Sequence, residues 1–173
     1  MIDEPRIYSG TGHRPDELGG YGEDTMEKLT DFAVSILPTW EPDKIISGMA
    51  LGWDQALARA AHLLGFPWIA AVAFKGQESI WPKASQIAFH DLLSKATEVV
   101  IVCEGGYEPW KLQKRNEWMV DHCTDILALW NGVRDGGTYN CIEYARKVGR
   151  PVHNLWPGWE SLNSSIFDVD TSS

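Results

Sequence analysis

The segment Ile7-Tyr8-Ser9-Gly10-Thr11-Gly12-His13-Arg14-Pro15 decides the fold, because an apolar strand runs directly into a glycine-rich loop. We predict a strand over residues 6–9 and a loop that begins at Gly10. Further strands are predicted over residues 44–47, 68–73, 98–103, 126–130 and 151–155. These segments are mostly apolar on both faces, which is typical of parallel strands covered by helices on both sides.

Amphipathic segments with helical spacing alternate with these strands. They predict helices over residues 25–37, 54–64, 83–94, 111–123 and 138–148. This alternation predicts an α/β, Rossmann-like fold: a mainly parallel sheet of about six strands with helices on both faces. We assign residues 1–156 to this single domain and residues 157–173 to a polar C-terminal tail that packs through Trp159 and Phe167.

The composition limits the classes of function. A chain of 173 residues that is 44% hydrophobic can bury a core without metals or disulfides. Cys103, Cys123 and Cys141 lack metal-ligand spacing and are predicted to be reduced core thiols, so we predict no metal and no cofactor. The formal net charge of −9 disfavours broad nucleic-acid binding. With no signal peptide and no apolar segment long enough to cross a membrane, the chain is expected in the cytoplasm.

Glycine-rich loops follow most of the predicted strands. Ligands bind beyond the carboxyl ends of the strands in an open parallel sheet, so these loops predict the binding site. Glycine lets backbone N–H groups approach an anion, although the same glycines also suit tight turns between strand and helix. The residues predicted to bind the ligand are Gly10, Thr11, Gly12, His13, Arg14, Gly48, Met49, Ala50, Gly52, Asp54, Gln77, Arg115, Asn116, Asn131, Gly136, Gly137 and Thr138.

Several of these polar residues have a structural as well as a functional interpretation. Asp54 begins a predicted helix, as an N-cap does, yet leans toward the apolar face and so toward the site. Arg115 is either a ligand contact or an exposed salt-bridge partner. Asn116 falls on an apolar stripe, where a polar side chain needs a ligand or an adjacent loop as its partner. His13 and Arg14 either neutralise a phosphate or lie in a solvated loop.

In these loops the chain resembles the SLOG superfamily, named for Smf/DprA and Lonely Guy, and within it the YpsA-like branch with prophage-borne members. The resemblance spans roughly residues 5–155 and lies in the order and spacing of its motifs. These are GTGHRP (10–15) with LGG (18–20), SGMALGWD (47–54), FKGQE (74–78) with WP (81–82), RNEWMVD (115–121), ALWNG (128–132) and GGT (136–138).

The resemblance implies a Rossmann-like fold and a nucleotide-type ligand. Lonely Guy enzymes cut the N-glycosidic bond of a nucleoside 5′-monophosphate with an Arg on the fourth crossover helix, which Arg115 matches. They also use a Glu three residues after the Thr of a Pro-Gly-Gly-x-Gly-Thr loop. Here Arg134-Asp135 replace the start of that loop, Cys141 stands at the Glu position, and helical geometry turns Glu143 away from the apolar face. This departure argues against glycosidase activity and leaves the binding site intact.

The sequence leaves three candidate functions. The first is a module that binds a nucleotide or nucleotide-derived ligand, to sense or sequester it in the cytoplasm of a bacterial host. The alternative is a phosphoribohydrolase with Asp54, Glu78 and Arg115 as candidate catalytic residues, because a carboxylate must stabilise a cationic ribosyl centre or activate water. A DNA-binding protein is disfavoured by the acidic charge. The resemblance also implies a homodimer, and we predict pairing near Trp110 and Trp118.

Overall fold

Strands and helices alternate along the chain, as the hydrophobic pattern predicts. The computed structural model describes residues 3–170, with side chains through residue 163. The strands are β1 Ile7–Gly12, β2 Lys44–Ser47, β3 Trp68–Val72, β4 Glu98–Ile101, β5 Asp125–Leu129 and β6 Val152–Asn154. The helices are α1 Glu23–Trp40, α2 Trp53–Leu64, α3 Lys83–Leu93, α4 Pro109–Asp121, α5 Gly136–Lys147 and α6 Trp156–Asp170, with a short 3-10 turn at Pro15–Glu17.

The six strands form one sheet in the order β4-β3-β2-β1-β5-β6, and every neighbouring pair is parallel. The predicted Rossmann-like α/β fold is therefore confirmed, with a sheet that is entirely rather than mainly parallel. The chain moves outward from β1 to β4 and then returns to β5 on the other side of β1. The strand order reverses between β1 and β5, and the carboxyl ends of two such strands border the crevice where ligands bind in this architecture.

Two hydrophobic cores lie on opposite faces of the sheet. Helices α1, α2, α3 and α6 pack on one face, while α4 and α5 cover the other. Cys123 and Cys141 lie in the second core as predicted, where burial raises their thiol pKa values to about 12 and about 11. Cys103 is free like the other two but only half-buried.

Two segments differ from the sequence prediction. Strand β1 does not end at Ser9, because Gly10, Thr11 and Gly12 continue the ladder and pair with residues 127–129 of β5. In place of a tail without regular structure, residues 156–170 form α6. The ring of Trp159 packs against Phe32 with 5.7 Å between centroids, whereas Phe167 lies outside the described side chains.

The outer strand β4 is less covered than its apolar sequence predicts. Val99 and Ile101 are exposed, so helices do not cover their face of β4, which is an edge strand of the sheet. The expectation that helices cover every strand on both sides is therefore wrong for β4. Separately, none of the helices within residues 3–170 combines the length and apolar character needed to cross a membrane.

Candidate functional site

A cleft of about 370 Å³ opens where the strand order reverses, between the carboxyl ends of β1 and β5. Its walls are the segment after β1, the start of α2, one face of α4, and the β5–α5 loop with the first turn of α5. This volume lies at the lower end of the range for small-molecule sites. Most of the predicted ligand-binding residues line it: Gly10, Thr11, Gly12, His13, Arg14, Ala50, Asp54, Arg115, Asn116, Asn131, Gly136, Gly137 and Thr138.

Arg115 forms the centre of the inner wall. Its guanidinium is buried, and Nη1 donates to the Gly48 carbonyl oxygen at 2.6 Å and to Gln77 Oε1 at 3.2 Å. Nη2 donates a longer bond of 3.4 Å to Asn116 Oδ1, and Nε has no partner among the described residues. The alternative of an exposed salt-bridging Arg115 is therefore wrong. The structure holds this cation in a fixed orientation at the wall of the cleft.

Asp54 is the second residue of α2 and lies buried at the same wall. The N-cap of α2 is Gly52, so the capping interpretation of Asp54 is wrong. Burial raises the pKa of the Asp54 carboxyl to about 6, although the charge of Arg115, the Ala50 amide and the charge of Arg14 all act to lower it. Desolvation of the buried carboxyl therefore outweighs every interaction that favours its charged form.

Gly48 explains how Asp54 and Arg115 share this wall. A Cβ at Gly48 would come within 2.9 Å of both Arg115 Nε and Asp54 Oδ2. A side chain there would wedge between the two groups, whereas glycine leaves the space open and offers its carbonyl to Arg115. Gly48 does not line the cleft itself, and it contributes to the site by accepting the hydrogen bond that orients Arg115.

Gln77 also supports Arg115 from behind the cleft. Its Oε1 accepts from the Ala73 amide at 2.8 Å, and its Nε2 donates to the Gly48 carbonyl at 3.1 Å. Gln77 thus fixes the same carbonyl and the same guanidinium that meet at the wall. Although predicted as a ligand contact, it does not line the cleft.

Three other predicted residues also lie outside the cleft. Glu78 pairs with Nε2 of His90 on α3 at 3.1 Å, so the structure does not bring this candidate catalytic carboxylate to the site. Met49 is buried in the first core. Gly52 has a φ of +97° and leaves room for the His13 carbonyl oxygen, which a Cβ would approach to 2.5 Å.

The glycines of β1 are required by packing. A Cβ at Gly10 would lie 2.3 Å from Leu57 Cδ1, and a Cβ at Gly12 would lie 2.6 Å from the Trp53 ring. Both neighbours belong to α2, which therefore packs directly against the strand. Packing therefore accounts for both glycines without a tight turn, and their backbone also lines the cleft, where the approach of an anion stays a prediction.

His13 and Arg14 differ in their contacts at the cleft. The Asn131 amide donates to His13 Nε2 at 2.9 Å, which ties the segment after β1 to the β5–α5 loop. That His13 neutralises a phosphate stays a prediction. Arg14 is exposed at the rim of the cleft, where its guanidinium is accessible.

The first turn of α5 forms the outer wall. Its N-cap, Asp135, makes no hydrogen bond through its side chain to the helix end. Gly136 and Gly137 have no atoms within 4 Å of the position that a Cβ would take. The free N–H groups and the dipole of a helix start favour an anion, and here no side chain blocks the approach.

Sequence reasoning missed six residues that line the cleft: Asp16, Glu17, Leu112, Met119, Val133 and Asp135. Leu112 and Met119 share the helical stripe that singled out Asn116, so helical spacing could have placed them. The two acidic residues on the 3-10 turn carried no such signal. Within the described residues, no group of three His, Cys, Asp or Glu side chains is placed to hold a metal ion.

The surroundings of Cys141, which stands where Lonely Guy enzymes have a catalytic Glu, match the sequence prediction. Cys141 is buried under the first turns of α5, and Glu143 is exposed and pairs with Arg146 at 3.1 Å. Helical spacing thus correctly predicted that Glu143 faces away from the site. In place of Glu143, the buried carboxylate that lies near Arg115 is that of Asp54.

Comparison with known proteins relates this chain to one family. The chain is 34% identical over 152 residues to the uncharacterised SPbeta prophage-derived protein YoqJ of Bacillus subtilis, covering 76% of this chain and 88% of YoqJ. Its fold resembles DNA processing protein A from Streptococcus pneumoniae, with a TM-score of 0.59 and 21% identity over 86% of this chain. It also resembles the Helicobacter pylori protein of that name, described for its single-stranded DNA binding mode, with a TM-score of 0.59 and 16% identity over 86% of this chain.

The chain spans 49% and 64% of the length of those two structures, and identities at this level show the fold alone. The family model that matches, however, covers residues 9–151, which include strands β2 to β5 and all of β1 except Ile7 and Tyr8, and which end just before β6. The chain belongs to the YspA SLOG family.

Proposed function

We propose that this protein binds a nucleotide or nucleotide-derived ligand in the cleft, to sense or sequester it. The observation that carries the proposal is the uncapped, unobstructed first turn of α5 in the same cleft as the buried cation of Arg115. A phosphate would accept from the N–H groups at Gly136 and Gly137. Asn116, whose own hydrogen bonds are long, and Asp54 would then be available to ribose hydroxyls.

Binding is tested with purified protein and a panel of probes: ribose 5-phosphate, the common nucleoside 5′-monophosphates, NAD and ADP-ribose. Calorimetry and a thermal shift measure affinity, because a ligand that binds only the folded state raises the melting temperature. Saturable binding of at least one probe supports the proposal. Absence of binding by every phosphoribosyl probe would overturn it.

A phosphoribohydrolase is the second candidate, and the buried carboxyl of Asp54 favours it. A pKa of about 6 lets this group exchange a proton near neutral pH, which suits a general acid that protonates the departing base or a base that activates water. Arg115 would hold the phosphoribosyl group beside it. Glu78, paired with His90 outside the cleft, is no longer a candidate for this step.

The two candidates are separated by chromatography of the same incubations. Release of free base that Asp54→Asn slows by at least about a hundredfold, while binding is retained, would identify a hydrolase. Binding without any released base would leave the protein as a sensor or a sequestering module.

Single-stranded DNA is the third candidate ligand. This candidate is supported by the fold shared with the Helicobacter pylori protein, which is described for its single-stranded DNA binding mode. The net charge of −9 opposes it, as do the carboxylates of Asp16, Glu17 and Asp135 at the cleft. Fluorescence anisotropy with a labelled oligonucleotide tests this candidate, and we expect no binding at physiological salt.

We propose a homodimer that pairs through the surface of α4. Trp110 is exposed there, while Trp118 is half-buried and stacks on His122 with 4.0 Å between ring centroids. Exposed tryptophan is enriched at protein interfaces. Sedimentation velocity should show twice the chain mass of 19.4 kDa, and Trp110→Glu should shift the species to the monomer. A wild-type monomer across micromolar concentrations would exclude the dimer.

A further inference from the structure

The candidate cleft lacks an aromatic side chain of the kind on which a base usually stacks. Within the described part of the chain, no Phe, Tyr or Trp lines it. Besides the apolar side chains of Leu112, Met119 and Val133, its walls offer glycine backbone, guanidinium, amide and carboxyl groups, which suit a phosphate and a ribose. Proteins usually hold nucleic-acid bases by stacking them on aromatic rings or packing them against apolar side chains.

An apolar groove of about 700 Å³ adjoins the cleft on the other face of the sheet, between the starts of α1, α2 and α3. Arg14 lines both the cleft and the groove, and therefore lies where they meet. Tyr21, Ile80 and Trp81 contribute the large apolar side chains of the groove. One exposed cation thus borders both the cleft, which is rich in polar groups, and the apolar groove.

The side chains of the groove are unusually exposed. Tyr21 is 66% exposed and Ile80 86% exposed, and neighbouring large apolar side chains in water mark a binding site. Trp81, by contrast, is half-buried and meets Phe89 edge-on with 5.5 Å between ring centroids, so it offers a fixed wall.

We propose that the groove holds the aromatic base of the same ligand whose phosphoribosyl group occupies the cleft, with Arg14 donating to the ribose that joins them. The inference rests on the proposed nucleotide function and adds where the base lies. Arg14 lines both spaces, which supports one occupant across both. The guanidinium N–H groups of Arg14 suit ribose hydroxyl oxygens, and the apolar walls suit a flat ring.

The experiment compares ribose 5-phosphate, which has no base, with AMP, GMP and ADP-ribose by calorimetry. The test variants are Tyr21→Ser and Ile80→Glu, which change exposed side chains and so leave the fold intact. We expect at least one base-bearing probe to bind wild type about tenfold more tightly than ribose 5-phosphate, and each variant to reduce that affinity about fivefold or more. The affinity for ribose 5-phosphate should stay within twofold.

Ile87→Glu is the matched control, because Ile87 is also exposed, lies on α3 and does not line the groove. It should leave every affinity unchanged. If the base-bearing probes bind the two test variants as tightly as wild type, the base lies elsewhere, and the inference fails while the nucleotide proposal stands. If ribose 5-phosphate and all base-bearing probes fail to bind wild type, both proposals fail.

Discussion

Two glycine pairs border the same cleft and look alike in the sequence, yet they serve opposite purposes. At Gly10 and Gly12 in β1, a Cβ would collide with side chains of α2 at 2.3 and 2.6 Å. At Gly136 and Gly137, at the start of α5, a Cβ would meet nothing within 4 Å. The first pair is required by packing, whereas the second leaves a helix start open to solvent and ligand.

The difference extends to the surroundings of each pair. The inner end of the cleft, with Asp54 and Arg115 behind the β1 glycines, is buried and hydrogen-bonded into the core. The outer end, at the start of α5, is exposed. We therefore expect substitutions at the inner end to change stability as well as binding, and substitutions at the outer end to change binding alone.

The largest expected effect at the inner end is the pH dependence of Asp54→Asn. The folded-state pKa of Asp54, about 6, exceeds the ordinary value of 3.8, so the folded state binds more protons between these pH values. The free energy of unfolding of wild type must then fall as pH rises through this window. The loss of stability caused by ionisation of the buried Asp54 carboxyl is absent below about pH 3.8. It is complete above about pH 6, where it amounts to about 3 kcal/mol of the free energy of unfolding.

Asn cannot ionise, so Asp54→Asn should be more stable than wild type above pH 6 by up to about 3 kcal/mol. The two proteins should converge toward pH 4. Urea unfolding at several pH values measures this difference. A constant difference across the range would show that the Asp54 carboxyl is not buried as the structure places it.

The next effect is the loss of binding in Arg115→Ala. A charge-assisted hydrogen bond from the guanidinium to a phosphate or ribose oxygen should make this change cost about 1.5–3 kcal/mol of binding free energy. Because Gly48 and Gln77 would lose their shared partner, we also expect a lower melting temperature. Calorimetry with the tightest-binding nucleotide measures the affinity. A loss below about 0.5 kcal/mol would place the ligand away from the inner wall.

The glycine comparison itself is tested by a matched pair, Gly12→Ala and Gly137→Ala. The methyl group at Gly12 overpacks the Trp53 contact and should cost about 1–3 kcal/mol of stability. At Gly137 the φ is not positive and space is open, so alanine should leave stability unchanged or raise it by up to about 1 kcal/mol. Chemical unfolding measures both, and equal effects at the two sites would contradict the distinction.

These comparisons also show how far the sequence could predict the structure. Strand and helix periodicity predicted the parallel sheet between two layers of helices, because burial on a face depends on local spacing. The order of these elements then predicted that the cleft lies at the carboxyl ends of the strands. Periodicity also predicted the buried position of Asn116 and the outward position of Glu143. The sequence also predicted that Trp159 packs on the domain, which its contact with Phe32 confirms. It did not predict α6, since the Ser, Asn and Asp residues after Pro157 are typical of turns and caps.

The roles of particular side chains required the three-dimensional contacts. Gln77 and Glu78 are adjacent in the chain and both buried, yet one fixes Arg115 and the other pairs with His90. The raised pKa of Asp54 depends on how completely the chain excludes water, which no motif encodes. Likewise, Gly12 differs from Gly137 only through the neighbour that tertiary packing brings to it.

The smallest effect, and the one most specific to binding, is expected for Gly137→Asp. A carboxylate in the first turn of α5 would interact favourably with the helix dipole, so the fold should keep its stability. The same carboxylate would occupy the space where a phosphate meets the free N–H groups, and its charge would repel the ligand. We expect about a tenfold loss of affinity, or about 1.4 kcal/mol, with an unchanged free energy of unfolding. Gly106→Asp adds the same group at an exposed glycine outside the cleft and should alter neither property. Equal affinities in the two variants would move the phosphate away from α5 and leave Arg115 and Arg14 as its candidate cationic partners.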